Sequence, residues 1–295
     1  MKTTILNQEN IVPIEQSQNA IDIIDFYNEA TEDYEFWSRD YNMHFGYFSL
    51  FKSNIFKRDS MLNEMNCQVL NRLKIGEKKS VLADLGCGMG ASMKYALNTY
   101  KNLSAFGVTL SNFQLKEGNK LLSKLNGTIL RENFNNTSLP SNAFDSAIAI
   151  ESFCHSGHSP KSFKEAYRIL KKGGRLVIAD AFLKKEVDQL CYGGAFSYKN
   201  LCDHWSLEKL GNIKTVTKQL KEQGFLNITV EDISFKVAPS VLHVPFAILG
   251  FLFKSLFKSG QLKKESLHNL KGSFYALLSG LHMKSFGYYI ITCVK

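Results

Sequence analysis

The stretch "SVLADLGCGMGAS", residues 80–92, constrains the fold more than any other part of the chain. Val81 to Leu85 read as a buried strand. Gly86, Gly88 and Gly90 follow at alternate positions, and a helical stretch opens near Gly90. Alternating glycines at a strand-to-helix turn permit a sharp reversal and let a ligand approach the backbone closely, so such loops hold an anion or a nucleotide at a helix N-terminus. Two readings of the loop compete. "GCGMGA" meets the dinucleotide fingerprint if Ala91 replaces the third glycine, but that fingerprint expects an acid about 20 residues on to hold a ribose. The corresponding region, "AFGVTLSN", has none, and the fingerprint gives no role to Asp84.

The flanking pattern sets the architecture. Short apolar runs alternate with helical stretches. The predicted strands are "SVLADLG", "LSAFGVTL", "GTILRE", "FDSAIAIES", "GGRLVIADAF", "FLNITVEDIS" and the closing "FGYYIITCVK". Between them, "ASMKYALNTY", "SNFQLKEGNKLLSKL" (N-capped by Ser111), "SPKSFKEAYRILKK" and "TVTKQLKEQG" read as helices. Such alternation implies an α/β fold with a mostly parallel sheet covered on both faces. Residues 17–37 and 57–74 carry helical patterns, the first with an aromatic stripe of Phe26, Tyr27, Tyr34 and Trp37. Residues 183–212 and 236–283 do not fit the alternation and are expected to be insertions over the ligand side.

Asp84 with its three glycines, D-x-G-x-G-x-G after a first strand, resembles the main motif of class I S-adenosylmethionine-dependent methyltransferases. Two further segments are similar to a narrower group. "FYNEATEDYEFWSRDYNMHFGYF" resembles the N-terminal signature of sterol and isoprenoid C-methyltransferases at Phe26, Tyr27, Tyr34, Glu35, Trp37, His44 and Phe45. "IAIESFCHSGHSP" resembles their "IEATCHAP"-type motif at Ile150, Glu151, Cys154 and His155, and "GVTLSNFQ" is similar to a segment shared with cyclopropane-fatty-acid synthases and tocopherol methyltransferases. Phe26 stands where that group often has Tyr, "SFCHSG" replaces "ATCHAP", and residues 236–283 have no clear match.

The resemblance implies a Rossmann-like domain over 1–295, with a seven-stranded sheet and helical cap insertions. Its parts would be an N-terminal helical cap (1–78), a cofactor-binding core (79–182), insertions at 183–212 and 236–283, and a final strand (284–295). S-adenosylmethionine is the implied cofactor. Tyr34, Asp84, Gly86, Gly88, Gly90, Thr109, Leu110, Gln114 and Glu151 are the implied contacts, with Asn133–Phe134 or alternatively Asn135 at the adenine edge. The implied acceptor is a lipophilic small molecule, with C-methylation of a sterol or isoprenoid type. Quinone, tocopherol and other small-metabolite acceptors are the alternatives, by O-, N- or ring C-methylation.

The "IAIESFCHSGHSP" cluster also has chemical readings of its own. A zinc site needs three or four ligands, and Cys154, His155 and His158 have no second cluster to complete them. A Cys–His nucleophile pair is disfavoured, because neighbours on a strand face opposite ways. That leaves no metal assigned, with Glu151 at the end of the fourth strand, where open α/β sheets bind ligands. His155 is either beside the transferred methyl group or a packing histidine. Methylation of an alkene creates positive charge, which aromatic faces stabilise and a base discharges. Tyr27, Tyr34, Trp37, Phe45 and Tyr47 supply rings; Glu151, His155 and His44 are the candidate bases.

Net charge is +9 over 295 residues, with lysines spread rather than blocked. This suits an anionic partner or mere solubility. Nucleic-acid methylation is not expected, since neither an N/D-P-P-Y motif nor a Pro-Cys pair occurs. Six cysteines without a CxxC, and a start lacking an apolar signal core, suggest a reduced cytoplasmic protein. The apolar run at 241–258, ending in lysines, reads as a membrane-interface segment, a substrate-tunnel wall or a core helix.

Overall fold

The structure is a computed structural model that describes residues 37–257 and 264–295. The aromatic stripe before Trp37, with Tyr27 and Tyr34, lies outside the described residues. After an irregular segment, α1 (Arg58–Leu73) leads into β1 (Ser80–Leu85), α2 (Ala91–Thr99), β2 (Leu103–Thr109), α3 (Asn112–Leu121), β3 (Gly127–Arg131) and β4 (Phe144–Ile150). Then come α4 (Pro160–Ile169), β5 (Leu170–Leu183), α5 (Tyr192–Trp205), α6 (Ile213–Glu222) and β6 (Leu226–Asp232). Three helices, α7 (Ser234–Val241), α8 (Val244–Phe257) and α9 (Lys264–Leu281), precede the last strand, β7 (Phe286–Val294).

Among the described residues these strands form one sheet in the order β3-β2-β1-β4-β5-β7-β6. The first five run parallel, and β7 is inserted antiparallel between β5 and β6. This is the predicted Rossmann-like α/β sheet. Strand order reverses between β1 and β4, which opens a crevice at their carboxyl ends.

The period-two alternation of strand side chains sorts the core into two layers. Ala83, Ala149 and Ile178 face one way, against Phe163 of α4 and Leu220 of α6. Leu82, Ile148 and Val177 face the other, against Val69 of α1 and Met93 of α2. α4 and α6 each show apolar residues at helical spacing, such as Phe163, Ala166 and Ile169, and these are fully buried. Burying a Phe or Leu side chain of this kind stabilises the fold by about 1.5–3 kcal/mol.

Three boundaries differ from the sequence reading. The helix expected from Ser111 to Leu125 stops at Leu121, because the chain turns through Leu122 and Leu125 to enter β3 at Gly127. The helix expected over 159–172 ends at Ile169. Leu170 already pairs with Phe144, and Gly173 and Gly174 bond to Lys295, so β5 starts earlier than the glycines suggested. α7 begins at Ser234, two residues before the stretch expected at 236–283. α5 and α9 pack together over one end of the sheet through Trp205, Tyr275 and Ala276, around buried Tyr198 and Leu201.

Candidate functional site: a crevice and an apolar cavity that share one wall

The crevice lies at the sheet's reversal point and encloses about 170 Å³. Gly86, Gly88 and Gly90 all have positive φ, at 94°, 53° and 76°. A side chain at Gly86 would collide with Cβ of Ser152, and one at Gly88 would meet the Met43 sulfur at 3.0 Å. Asp84, at the end of β1, is buried, and its Oδ2 has no hydrogen-bond partner among the described residues. Burial pushes its carboxyl up to about 7. A buried acceptor left unpaired is costly, and a positively charged ligand would remove that cost. The far wall carries Thr109, Leu110, Gln114, Asn133, Phe134 and Asn135. Thr109 Oγ1 donates to Gln114 Oε1 at 2.5 Å, and Ser111 caps α3 by accepting from the Gln114 N–H.

The second space is a cavity of about 300 Å³ under the cap. Trp37 and Phe45 wall it on one side, their rings edge-to-face at 5.6 Å. Leu201 and Trp205 of α5, Val237 and Val241 of α7, and Leu277 of α9 complete most of the lining. No lysine or arginine is among the described residues that line it.

Four residues line both spaces: Met43, His44, Glu151 and His155. Glu151 follows β4 with φ of 47°, a conformation that non-glycine residues rarely adopt and that tends to occur at functional sites. Its Oε1 accepts from the Phe45 N–H at 2.6 Å and from the Tyr288 hydroxyl at 2.7 Å. Glu151 lies deep in the protein yet keeps surface toward the two spaces. Burial outweighs both donors and pushes its carboxyl up to about 8. His44 Nδ1 lies 2.9 Å from the Phe45 carbonyl, and burial holds the ring below its usual range. The neutral ring therefore carries its hydrogen on Nδ1 and keeps a lone pair on Nε2. Burial likewise lowers His155 to about 4, against the pull of Asp180.

The structure thus brings together all the candidate bases and the described candidate cofactor contacts except Gly90, which does not line the crevice: a side chain there would meet Ile129 and Leu122 on the packing side of the turn. It corrects two readings. Cys154 and His155 sit on a short 3₁₀ turn (Phe153–Ser156), not on the strand, because β4 ends at Ile150. The thiol of Cys154 is pushed well above its ordinary range by burial, so it is a packed thiol rather than a nucleophile. Tyr47 lines neither space and packs against the sheet-face core with Ile75 and Tyr95. His158 is a structural residue. Its Nδ1 accepts from the Gly211 N–H at 3.0 Å, leaving Nε2 as donor 3.2 Å from Asp180 Oδ2. Asp180 also accepts from the Cys154 N–H, which fixes the turn that carries His155. No group of three potential metal ligands occurs among the described residues. Sequence reasoning missed Met43, Ser152, Asp180 and Tyr288. Met43 adjoins the predicted His44, but nothing in its spacing marks it as the divider between two spaces.

Residues 83–178 match the model of a methyltransferase domain. The 24-methylenesterol C-methyltransferase 2 of Arabidopsis thaliana is 31% identical over 170 residues, covering 56% of this chain and 45% of that protein. The chain therefore spans under half the length of that relative. An O-methyltransferase of Pyrenophora dematioidea is 30% identical over 225 residues, covering 72% of this chain and 79% of that protein. Among solved structures, a cyclopropane synthase from Mycobacterium tuberculosis superposes with TM-score 0.79 at 17% identity, covering 95% of this chain and 100% of that one. The geranyl diphosphate C-methyltransferase from Streptomyces coelicolor, solved with Mg2+, geranyl diphosphate and S-adenosyl-L-homocysteine, gives 0.71 at 17%, with 96% and 99% covered. At such identity the likeness is one of fold.

Proposed function

Because the chain belongs to the class I S-adenosylmethionine-dependent methyltransferases, we propose that it methylates carbon of a lipophilic sterol- or isoprenoid-type acceptor held in the apolar cavity. One observation carries this reading: the glycine-loop crevice and the apolar cavity meet at Met43, His44, Glu151 and His155. The crevice fits the cofactor on the structure's own terms. It offers a buried, unpaired carboxylate oxygen of Asp84 to a cation and a turn whose positive φ values keep side chains out. In this reading Asp84 and the Gly86–Gly90 turn hold the amino-acid end, while Thr109, Leu110, Gln114, Asn133 and Phe134 hold the ribose and adenine.

When bound, S-adenosylmethionine supplies an electrophilic methyl group on a sulfonium. The protein's part is orientation, exclusion of water and proton handling. Trp37 and Phe45 present ring faces and edges where positive charge develops on the acceptor. Glu151 is the proposed base. Its raised pKa leaves it largely protonated in the free protein at neutral pH, and a cation in the adjoining crevice drives it back to carboxylate. Tyr288 and the Phe45 N–H steady that carboxylate. Neutral His44 and His155 are lone-pair acceptors on the same wall and serve as proton relays. A cavity with no lysine or arginine among its described lining residues favours a neutral acceptor over a diphosphate ester. O-methylation is the second reading, favoured by the Pyrenophora relative.

Incubation with methyl-labelled S-adenosylmethionine and fractionated neutral lipids, followed by mass analysis, tests the proposal. Label in a sterol or isoprenoid carbon is the expected result. Label confined to a hydroxyl selects the second reading, and label only in polar amines refutes both.

A further inference from the structure

We infer that the loop at residues 50–57 and the outer face of α8 form one docking surface for an anionic lipid bilayer, at the mouth of the acceptor cavity. The inference rests on the proposed lipophilic acceptor, which must leave a membrane to reach the cavity.

The loop reads "LFKSNIFK". Phe51 and Phe56 are 95% and 88% exposed, which is costly for large rings in water unless something covers them. Single exposed apolar residues are ordinary; here they are gathered. His243 Nε2 bonds the Ile55 carbonyl at 2.7 Å, and the Phe48 N–H bonds the Lys236 carbonyl at 2.7 Å. These ties set the loop against α7 and the start of α8, where Phe235, Leu242, Phe246 and Leu249 are also exposed. α8 is apolar on two sides. Val244, Ala247 and Ile248 line the cavity, while Phe246 and Leu249 point away from it into solvent. A helix apolar on both sides belongs in a core or at a membrane. Leu242 both lines the cavity and is 59% exposed, so this surface runs into the cavity mouth.

Charge selects the occupant. Lys52, Lys57 and Lys236 are exposed beside these rings and make no ion pair among the described residues. The neighbouring acids Glu231 and Asp232 are already paired, with Arg72 and Lys184. Interleaved rings and free lysines suit an interface in which rings enter the acyl boundary and ammonium groups meet anionic headgroups. A second protein copy would need a matching acidic or plain apolar face. No helix among the described residues is long and apolar enough to cross a membrane.

Flotation with vesicles of phosphatidylcholine and phosphatidylserine in equal parts, and with phosphatidylcholine alone, tests the surface. The full chain is expected to float with the mixed vesicles, less with the neutral ones, and less again in high salt. The pair Phe51→Ser and Phe56→Ser should weaken binding at least about tenfold. Lys52→Glu and Lys57→Glu should weaken it roughly fivefold per lysine on mixed vesicles only. Both variants should keep the wild-type melting temperature and S-adenosylmethionine affinity. Wild type that floats with neither vesicle overturns the inference, as does undiminished flotation of the phenylalanine variant. So does a concentration-dependent wild-type dimer that the phenylalanine variant abolishes. Transfer to a lipid extract solubilised in cyclodextrin bypasses the surface. Its absence in wild type would count against the proposed function, whereas docking is judged by flotation alone.

Discussion

The crevice draws its wall from short segments at adjoining strand ends, residues 84–92, 109–114, 132–135 and 150–156. The cavity beside it draws on residues 37–45, 201–210, 234–248 and 269–288, most of them on helices of the cap. One space is made by backbone turns that the sheet positions. The other is made by side chains of helices whose mutual packing decides its shape. A rigid sheet edge suits a constant ligand, and a repackable helical cap suits an acceptor that differs between relatives. The two spaces are thus separable in principle, joined among the described residues at Met43, His44, Glu151 and His155.

That separation can be broken at the joint itself, where the largest effect is expected. Glu151→Gln keeps the size of the side chain and removes the proposed base. Turnover should fall by about 10²–10⁴-fold. Measured by calorimetry, S-adenosylmethionine affinity should change far less than turnover. An equal loss of both would make Glu151 a cofactor residue only.

Gly86→Val attacks the crevice alone. The new side chain meets Ser152 and forces a β-branched residue to φ near 94°. A cost of about 2–4 kcal/mol in stability is expected, with loss of cofactor binding. Calorimetry and thermal melting read both. Retained affinity would show that the turn does not face the ligand.

Protonation gives a sharper probe of the same crevice. Asp84 and Glu151 rise from ordinary values of about 4 to about 7 and about 8 in the fold. Between the unfolded and folded values the folded state holds more protons than the unfolded chain. Stability of the free protein must therefore fall as pH rises through that window. A cationic ligand favours the carboxylates, so its affinity should rise over the same window. Asp84→Asn should cut affinity by about tenfold to a hundredfold and flatten the rise near pH 7. Affinity independent of pH in wild type would remove Asp84 from the site.

Gly272→Ala addresses the cavity in isolation. A methyl there would run into the Trp205 ring, prising α9 from α5. Loss of about 1–3 kcal/mol from the cap is expected, with reduced acceptor turnover and unchanged S-adenosylmethionine affinity. A matching fall in cofactor affinity would mean that cap and crevice are not separable. The smallest effect is expected from exhaustive chelation. His158 accepts from the Gly211 N–H and faces Asp180 at 3.2 Å, and burial holds the Cys154 thiol protonated, so activity should persist. Loss on chelation with recovery on adding a divalent ion would reopen that cluster as a metal site.

Sequence alone determined the sheet, the glycine turn and the positions of Asp84 and Glu151, because these depend on local rules. Strand periodicity is two, a turn at positive φ calls for glycine, and a residue just past a parallel strand reaches the crevice. Local rules also failed locally: "SFCHSG" gave no sign of a 3₁₀ turn, which depends on Asp180 accepting the Cys154 N–H across 26 residues. The tertiary structure alone decided that Phe45 and Tyr288 hold Glu151 from 106 and 137 residues away. It also packed Tyr47 against the core while Trp37 and Phe45 faced the cavity, and gave α8 one side to the cavity and one to solvent. An apolar or aromatic residue gains about equally from any dry neighbour, so composition names no partner. Only the packing of elements distant in the chain settles which surface it covers.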